Sequence, residues 1–204
     1  LAPLCIFALL AWIFTVSVGA RITKSMQNAE PPQQQHTEDV LVLDENITFS
    51  SMHLKPDLLK AFHDEGFIKP SPIQLQAIPR GKLGMDLICQ SKSGTGKTLT
   101  FCSIILERIQ ISTSQLSKQD LTPQAMILTP TREIAVQIRD FIRLIGKYYQ
   151  YLTCDTFIGG VPLSFDKKNL NLGCQIIVGT PGRILQLIRM NTLVTFNLKV
   201  VVLD

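Results

Sequence analysis

The chain has 204 residues, 46% of them hydrophobic, and a formal net charge of +4. That length and apolar content provide one large domain with a real core plus extensions. The modest charge excludes nucleic-acid binding through a broad basic surface, so any such site has to rest on particular residues. The five cysteines are odd in number and form no C-x-x-C pair. They read as buried free thiols in a reducing compartment, with Cys89, Cys102 and Cys174 among apolar neighbours. The three histidines lack ligand spacing, and no zinc is expected.

Taken in order, residues 1–25 begin with a run, Leu1 to Ala20, that contains no charged residue. It is long enough to span a bilayer and resembles a signal-peptide core, without an initiator methionine or a basic leader. Two readings stand: a membrane or secretory segment, or a start placed ahead of a true one at Met26. Residues 26–47 are polar, with Pro31-Pro32-Gln33-Gln34-Gln35, and read as a tail or linker. From Leu54 a helical pattern places Leu58, Leu59 and Phe62 on one face, and Gly66 ends it.

A regular alternation follows. Strand-length apolar runs lie at Asp86–Cys89, Ala125–Leu128, Leu152–Phe157, Gln175–Val178 and Lys199–Leu203. Helical patterns lie between them at Thr98–Ile109, Thr131–Ile145, Pro162–Leu170 and Pro181–Met190. Thr180-Pro181 predicts an N-cap followed by proline in the first helical turn. Such alternation predicts an α/β domain, a parallel sheet flanked by helices, with ligands at the carboxyl ends of the strands. Gln110 to Thr122 is rich in serine, threonine and glutamine and reads as a surface loop.

The first strand-to-helix junction carries Ser91-Lys92-Ser93-Gly94-Thr95-Gly96-Lys97-Thr98. Glycines let backbone N–H groups converge on phosphate oxygens, and the following helix points its positive end at them. Ser93, Gly94, Thr95 and Gly96 form the cradle, Lys97 reaches the β- and γ-phosphates, and the Thr98 hydroxyl holds Mg²⁺. Ser91 stands where the generic pattern has glycine. This nucleotide-binding pattern favours Met26 as the start and a cytoplasmic or nuclear location.

Further motifs surround the P-loop: Phe49, which lies 17 residues before Gly66, then Gly66-Phe67-Ile68-Lys69-Pro70-Ser71-Pro72-Ile73-Gln74. After it come Pro130-Thr131-Arg132-Glu133, Gly159-Gly160, Thr180-Pro181-Gly182-Arg183 and Val200-Val201-Val202-Leu203-Asp204. From about Phe49 to Asp204 the ordered set resembles the first RecA-like domain of a DEAD-box RNA helicase. Asp86-Leu87-Ile88, Lys92 in the P-loop and Ile134-Ala135-Val136-Gln137-Ile138 are most similar to the Gemin branch, helicases of the SMN complex.

The resemblance implies roles. Gln74 reads adenine and selects ATP, since its amide matches the N6 and N7 edge. Phe49 stacks on the base or packs on the following helix, and Lys69 adds to the same site. Asp204, at a strand end, binds Mg²⁺ through water and acts with Lys97 in catalysis. Pro130, Thr131, Arg132, Gly159, Gly160, Thr180, Pro181, Gly182 and Arg183 contact the RNA backbone with little sequence selectivity. For Arg132 and Arg183 the alternative is a surface salt bridge. The domain would run over residues 48–204, break off at Asp204, and work with a second RecA-like domain in ATP-dependent RNA unwinding. SMN-complex proteins and a role in spliceosomal particle assembly follow from the Gemin likeness. By itself the chain is then expected to hydrolyse ATP negligibly. The rivals are another P-loop NTPase acting on DNA and a non-catalytic, membrane-tethered scaffold.

Overall fold

The computed structural model describes residues 47–111 and 122–204. The apolar segment, nearly all of the polar segment 26–47 and most of the loop 110–122 lie outside the described residues. A short 3-10 turn at Phe49–Met52 leads to α1 (Pro56–Asp64) and α2 (Pro72–Lys82). Then follow α3 (Lys97–Arg108), β1 (Ala125–Leu128), α4 (Arg132–Ile145), β2 (Cys154–Phe157), α5 (Leu163–Leu172), β3 (Ile176–Gly179), α6 (Pro181–Arg189) and β4 (Val200–Leu203). Among these residues no helix is long and apolar enough to cross a membrane.

The four strands form one parallel sheet in the order β2-β3-β1-β4. Ala125 of β1 stands level with Ile176 on one side and Val200 on the other. β1 and β3 are buried along their whole length, which is why they read as unbroken apolar runs. β4 alternates between half-buried and exposed residues. Its pattern fits the sheet edge that it forms among the described strands. α4 buries Ala135, Ile138, Ile142 and Ile145, a single stripe at helical spacing. The core gathers that stripe with Leu58 and Phe62 of α1, Ile78 of α2, Cys102 and Ile105 of α3, and Ile127 and Val178 of the sheet.

The structure departs from the sequence reading in three places. Asp86–Cys89 belongs to no strand. An apolar run becomes a strand only when a neighbour takes its hydrogen bonds, and none of the described strands pairs with it. Ile88 is consequently fully exposed, and Cys89 is exposed rather than buried. α2 has no counterpart in the sequence reading, and it forms with Pro79 and Gly81, poor helix formers, inside it. Its start is nevertheless marked by Ser71, Pro72 and Gln74, which form a capping box with proline in the first turn. Finally, Thr180 has the extended backbone of an N-cap, but its hydroxyl makes no capping bond.

Candidate nucleotide cleft and nucleic-acid interface

The P-loop occupies the turn into α3, and Gly94 and Gly96 both have positive φ, 80° and 92°. Gly96 is the N-cap of α3, and a Cβ there would overlap the Gln74 amide nitrogen. The close approach is a hydrogen bond: Gln74 Nε2 donates to the Gly96 carbonyl at 3.2 Å. Gln74 Oε1 accepts from the Ser71 N–H at 2.7 Å, and Ser71 Oγ donates to the Thr95 carbonyl at 2.9 Å. The capping box of α2 is therefore also the clasp of the P-loop. Gln74 is buried, with its oxygen and one amide hydrogen committed to backbone. One N–H of the amide is left over for a base.

Lys97 folds back on the loop, donating to the carbonyls of Ser91 and Lys92, each at 2.8 Å. The Ser91 and Thr95 hydroxyls lie 2.6 Å apart, and Thr95 also donates to the Lys92 carbonyl at 2.8 Å. All the residues assigned to the nucleotide, Phe49, Lys69, Gln74, Ser93, Gly94, Thr95, Gly96, Lys97 and Thr98, line one cleft of about 670 Å³, and Asp204 lines it too. The Thr98 hydroxyl and the Asp204 carboxylate are hard oxygen donors, the kind Mg²⁺ takes while keeping several waters. Together with a glycine turn and a helix start, they fit a magnesium-bound nucleoside triphosphate.

Phe49 is only 3% exposed, and its ring stands edge-on to Phe62 at 4.7 Å. Packing on the following helix is its main role. Phe67, which the motif carried without assigning it a role, is half-buried and lines the cleft. It is braced edge-on by Phe62 at 5.8 Å and Phe141 at 6.3 Å. Ser71 was likewise missed, although Ser71 with Gln74 three positions later is a legible capping pattern.

A second cleft, of about 610 Å³, is lined by Pro130, Thr131, Arg132, Gly159, Thr180, Gly182 and Arg183, with Glu133 and Gln186. Three motifs from the ends of β1, β2 and β3 thus meet, although Gly160 and Pro181 do not line the cavity. Thr131 caps α4 by accepting from the Ile134 N–H at 3.4 Å. Arg132 is exposed and makes no ion pair among the described residues. Its guanidinium lies against the glycine pair: a Cβ on Gly160 (φ +91) would come 2.7 Å from Nη1, and one on Gly159 would come 3.2 Å from Nη2. The positive φ of Gly160 favours glycine there, and the bare turn lets the guanidinium approach closely. The Glu133 carboxyl is held below its usual range by its own backbone N–H and the Thr131 hydroxyl.

Arg183 lines this cleft, but its ion pair is internal rather than a surface salt bridge. Its guanidinium is buried and donates to Asp166 Oδ2 at 2.7 Å and to the Val161 carbonyl at 2.5 Å. Burial pushes the Asp166 carboxyl upward, against the pull of the guanidinium. No sequence signal marks Asp166, since only the fold brings it to Arg183.

A glycine-turned phosphate cradle at the mouth of a parallel sheet, next to a cleft built from helix starts, defines a RecA-like P-loop nucleotide-binding domain. Residues 71–204 match the DEAD/DEAH box helicase family. The chain is 46% identical over 168 residues to the mouse probable ATP-dependent RNA helicase DDX20, covering 82% of this chain and 19% of that protein. It is 44% identical to the ATP-dependent RNA helicase FAL1 of Yarrowia lipolytica, covering 79% of this chain and 39% of that protein. Among solved structures, yeast Dbp5 bound to RNA and ADP BeF3 superposes with a TM-score of 0.63 at 35% identity, over 77% of this chain and 38% of that one. A DEAD box protein of Methanococcus jannaschii gives 0.69 at 34% identity, over 77% and 41%. The chain belongs to the DEAD/DEAH box helicase family. It spans about a fifth of the mouse relative and two fifths of the yeast one.

Proposed function

We propose that this chain is the ATP- and RNA-binding first RecA-like domain of an ATP-dependent RNA helicase. The observation that carries the reading is the pair of clefts at the carboxyl side of one sheet. One is built by the P-loop, Gln74 and Asp204, the other by the starts of α4 and α6 with Gly159. In the first, the positive end of α3 and the turn at Gly94 and Gly96 receive phosphate oxygens. Lys97 exchanges the Ser91 and Lys92 carbonyls for the β- and γ-phosphates. Thr98 and Asp204 would hold Mg²⁺, which would supply charge neutralisation to the phosphates. Gln74 keeps one N–H for adenine, and Phe67 gives the base an aromatic wall.

In the second cleft, Arg132 and the N–H groups at the starts of α4 and α6 suit phosphate oxygens, and the Thr180 hydroxyl, which makes no capping bond, suits a ribose or phosphate oxygen. Backbone contacts of this kind carry little sequence selectivity. Unwinding requires a second RecA-like domain closing on this one, as the resemblance implies. A place among SMN-complex proteins, in spliceosomal particle assembly in the cytoplasm or nucleus, is supported by the Gemin-like wording and the 46% identity to mouse DDX20.

The test is competition binding by the purified chain. ATP should displace a labelled ATP analogue far better than GTP, and single-stranded RNA should displace a labelled RNA better than DNA of the same sequence. Equal competition by DNA would hand the reading to a DNA-acting P-loop protein. For the pathway, the full-length protein should co-purify with SMN-complex components.

A further inference from the structure

α5 buries one residue, and that residue is a carboxylate, Asp166. An exposed helix ordinarily buries an apolar stripe, so this helix is docked by a charge. Asp166 and Arg183 are 17 residues apart in the chain, yet their side chains meet at 2.7 Å with only 3% and 8% exposure. Arg183 then reaches the Val161 carbonyl, next to the Gly159–Gly160 turn. Arg183 is also the third residue of α6, whose start lines the second cleft. One guanidinium therefore ties the turn after β2 to the helix start after β3. Arg132 lies against both glycines of that turn.

We infer that Asp166 is a positioning residue for RNA binding. It touches no RNA. It orients Arg183, so that the glycine turn and the start of α6 present their polar groups in one frame. This rests on the RNA-facing reading of the cleft. A guanidinium is a rigid planar fork that holds direction once two edges are bonded. Helix starts and turns bind an anion only when their N–H groups converge on it. Charge alone predicts the opposite behaviour: removing a carboxylate beside a phosphate site strengthens binding. The sign of the change therefore separates positioning from simple electrostatics.

The experiment measures binding of a fluorescent single-stranded RNA by the full chain, in the wild type, Asp166→Asn, Asp166→Ala and Arg132→Ala. An ATP analogue titrated into the same samples counts folded molecules, because none of these residues lines the nucleotide cleft. Asp166→Asn keeps the shape of the side chain, so it carries the test if the alanine variant is unstable. The expected result for Asp166→Ala is a loss of RNA affinity of about tenfold, and less for Asp166→Asn, with nucleotide affinity within about twofold of the wild type. Unchanged or tighter RNA binding in both Asp166 variants, with Arg132→Ala still weakened, overturns the positioning role and leaves the RNA cleft standing. RNA and nucleotide affinity falling in step in both variants marks the pair as a support of the whole fold and also overturns it. No change in any of the three variants overturns the RNA-facing reading itself.

Discussion

At the scale of single residues, the nucleotide cleft is organised by bonds that a ligand has to replace. The Lys97 ammonium rests on two loop carbonyls, a neutral substitute for phosphate oxygens. Exchange for a charged acceptor gives the stronger bond. Lys97→Ala should therefore cost about 1.5–3 kcal/mol of ATP affinity while leaving thermal stability unchanged. Isothermal titration together with a melting curve checks both, and full ATP affinity in a folded variant would remove Lys97 from the site. Gln74 has two tasks, since it both clasps the P-loop and faces the cleft. Gln74→Ala should weaken ATP and GTP alike through loss of the clasp, by about 0.5–1.5 kcal/mol for each neutral bond. It should also narrow the preference for ATP. Competition with both nucleotides separates the two effects, and a drop confined to common affinity would make Gln74 a clasp alone.

At the scale of elements, the aromatic run that joins α1 to α4 divides packing from ligand contact. Phe49→Ala empties a core site and should destabilise the fold by about 3–5 kcal/mol. Phe67→Ala removes a cleft wall and should cost mainly nucleotide binding, about 1–3 kcal/mol if the base stacks on it. Urea midpoints and nucleotide titrations of the two variants should therefore diverge, and identical profiles would refute the division. The segment before the P-loop has its own test. Burial raises the thiols of Cys102 and Cys154 well above their ordinary range and that of Cys174 to about 12. A raised thiol pKa means less thiolate at any working pH, so these three stay protonated and unreactive near pH 8. Cys89 is exposed, and no described strand pairs with residues 86–89. Brief alkylation of native protein, mapped by mass spectrometry, should mark Cys89 and spare the other three. A protected Cys89 would show that residues 86–89 join a sheet in solution.

At the scale of the whole molecule, the proposed function makes the net charge of +4 and the shape of the second cleft the determinants of how RNA would be bound. Of the two arginines lining that cleft, Arg183 is neutralised by Asp166, which leaves Arg132 and two helix starts. Single-stranded RNA then releases few counterions, and log affinity against log salt should slope by about −1. Fluorescence anisotropy across a salt series measures this, and a slope several times steeper would place extra cations outside the cleft. The alternating sheet and helix pattern, the P-loop, Gln74 and the three motifs after β1, β2 and β3 were legible from the sequence. Each is a local matter of glycine at a turn, an apolar period or a helix start, and such features are written in neighbouring residues. Only the tertiary structure decided that Asp86–Cys89 stays unpaired, that Phe49 belongs to the core, and that α2 forms in spite of Pro79 and Gly81. It alone gave Arg183 to Asp166, and Arg132 to the glycine pair. Pairing, burial and ion pairing depend on what arrives from elsewhere in the chain, and no local pattern records that.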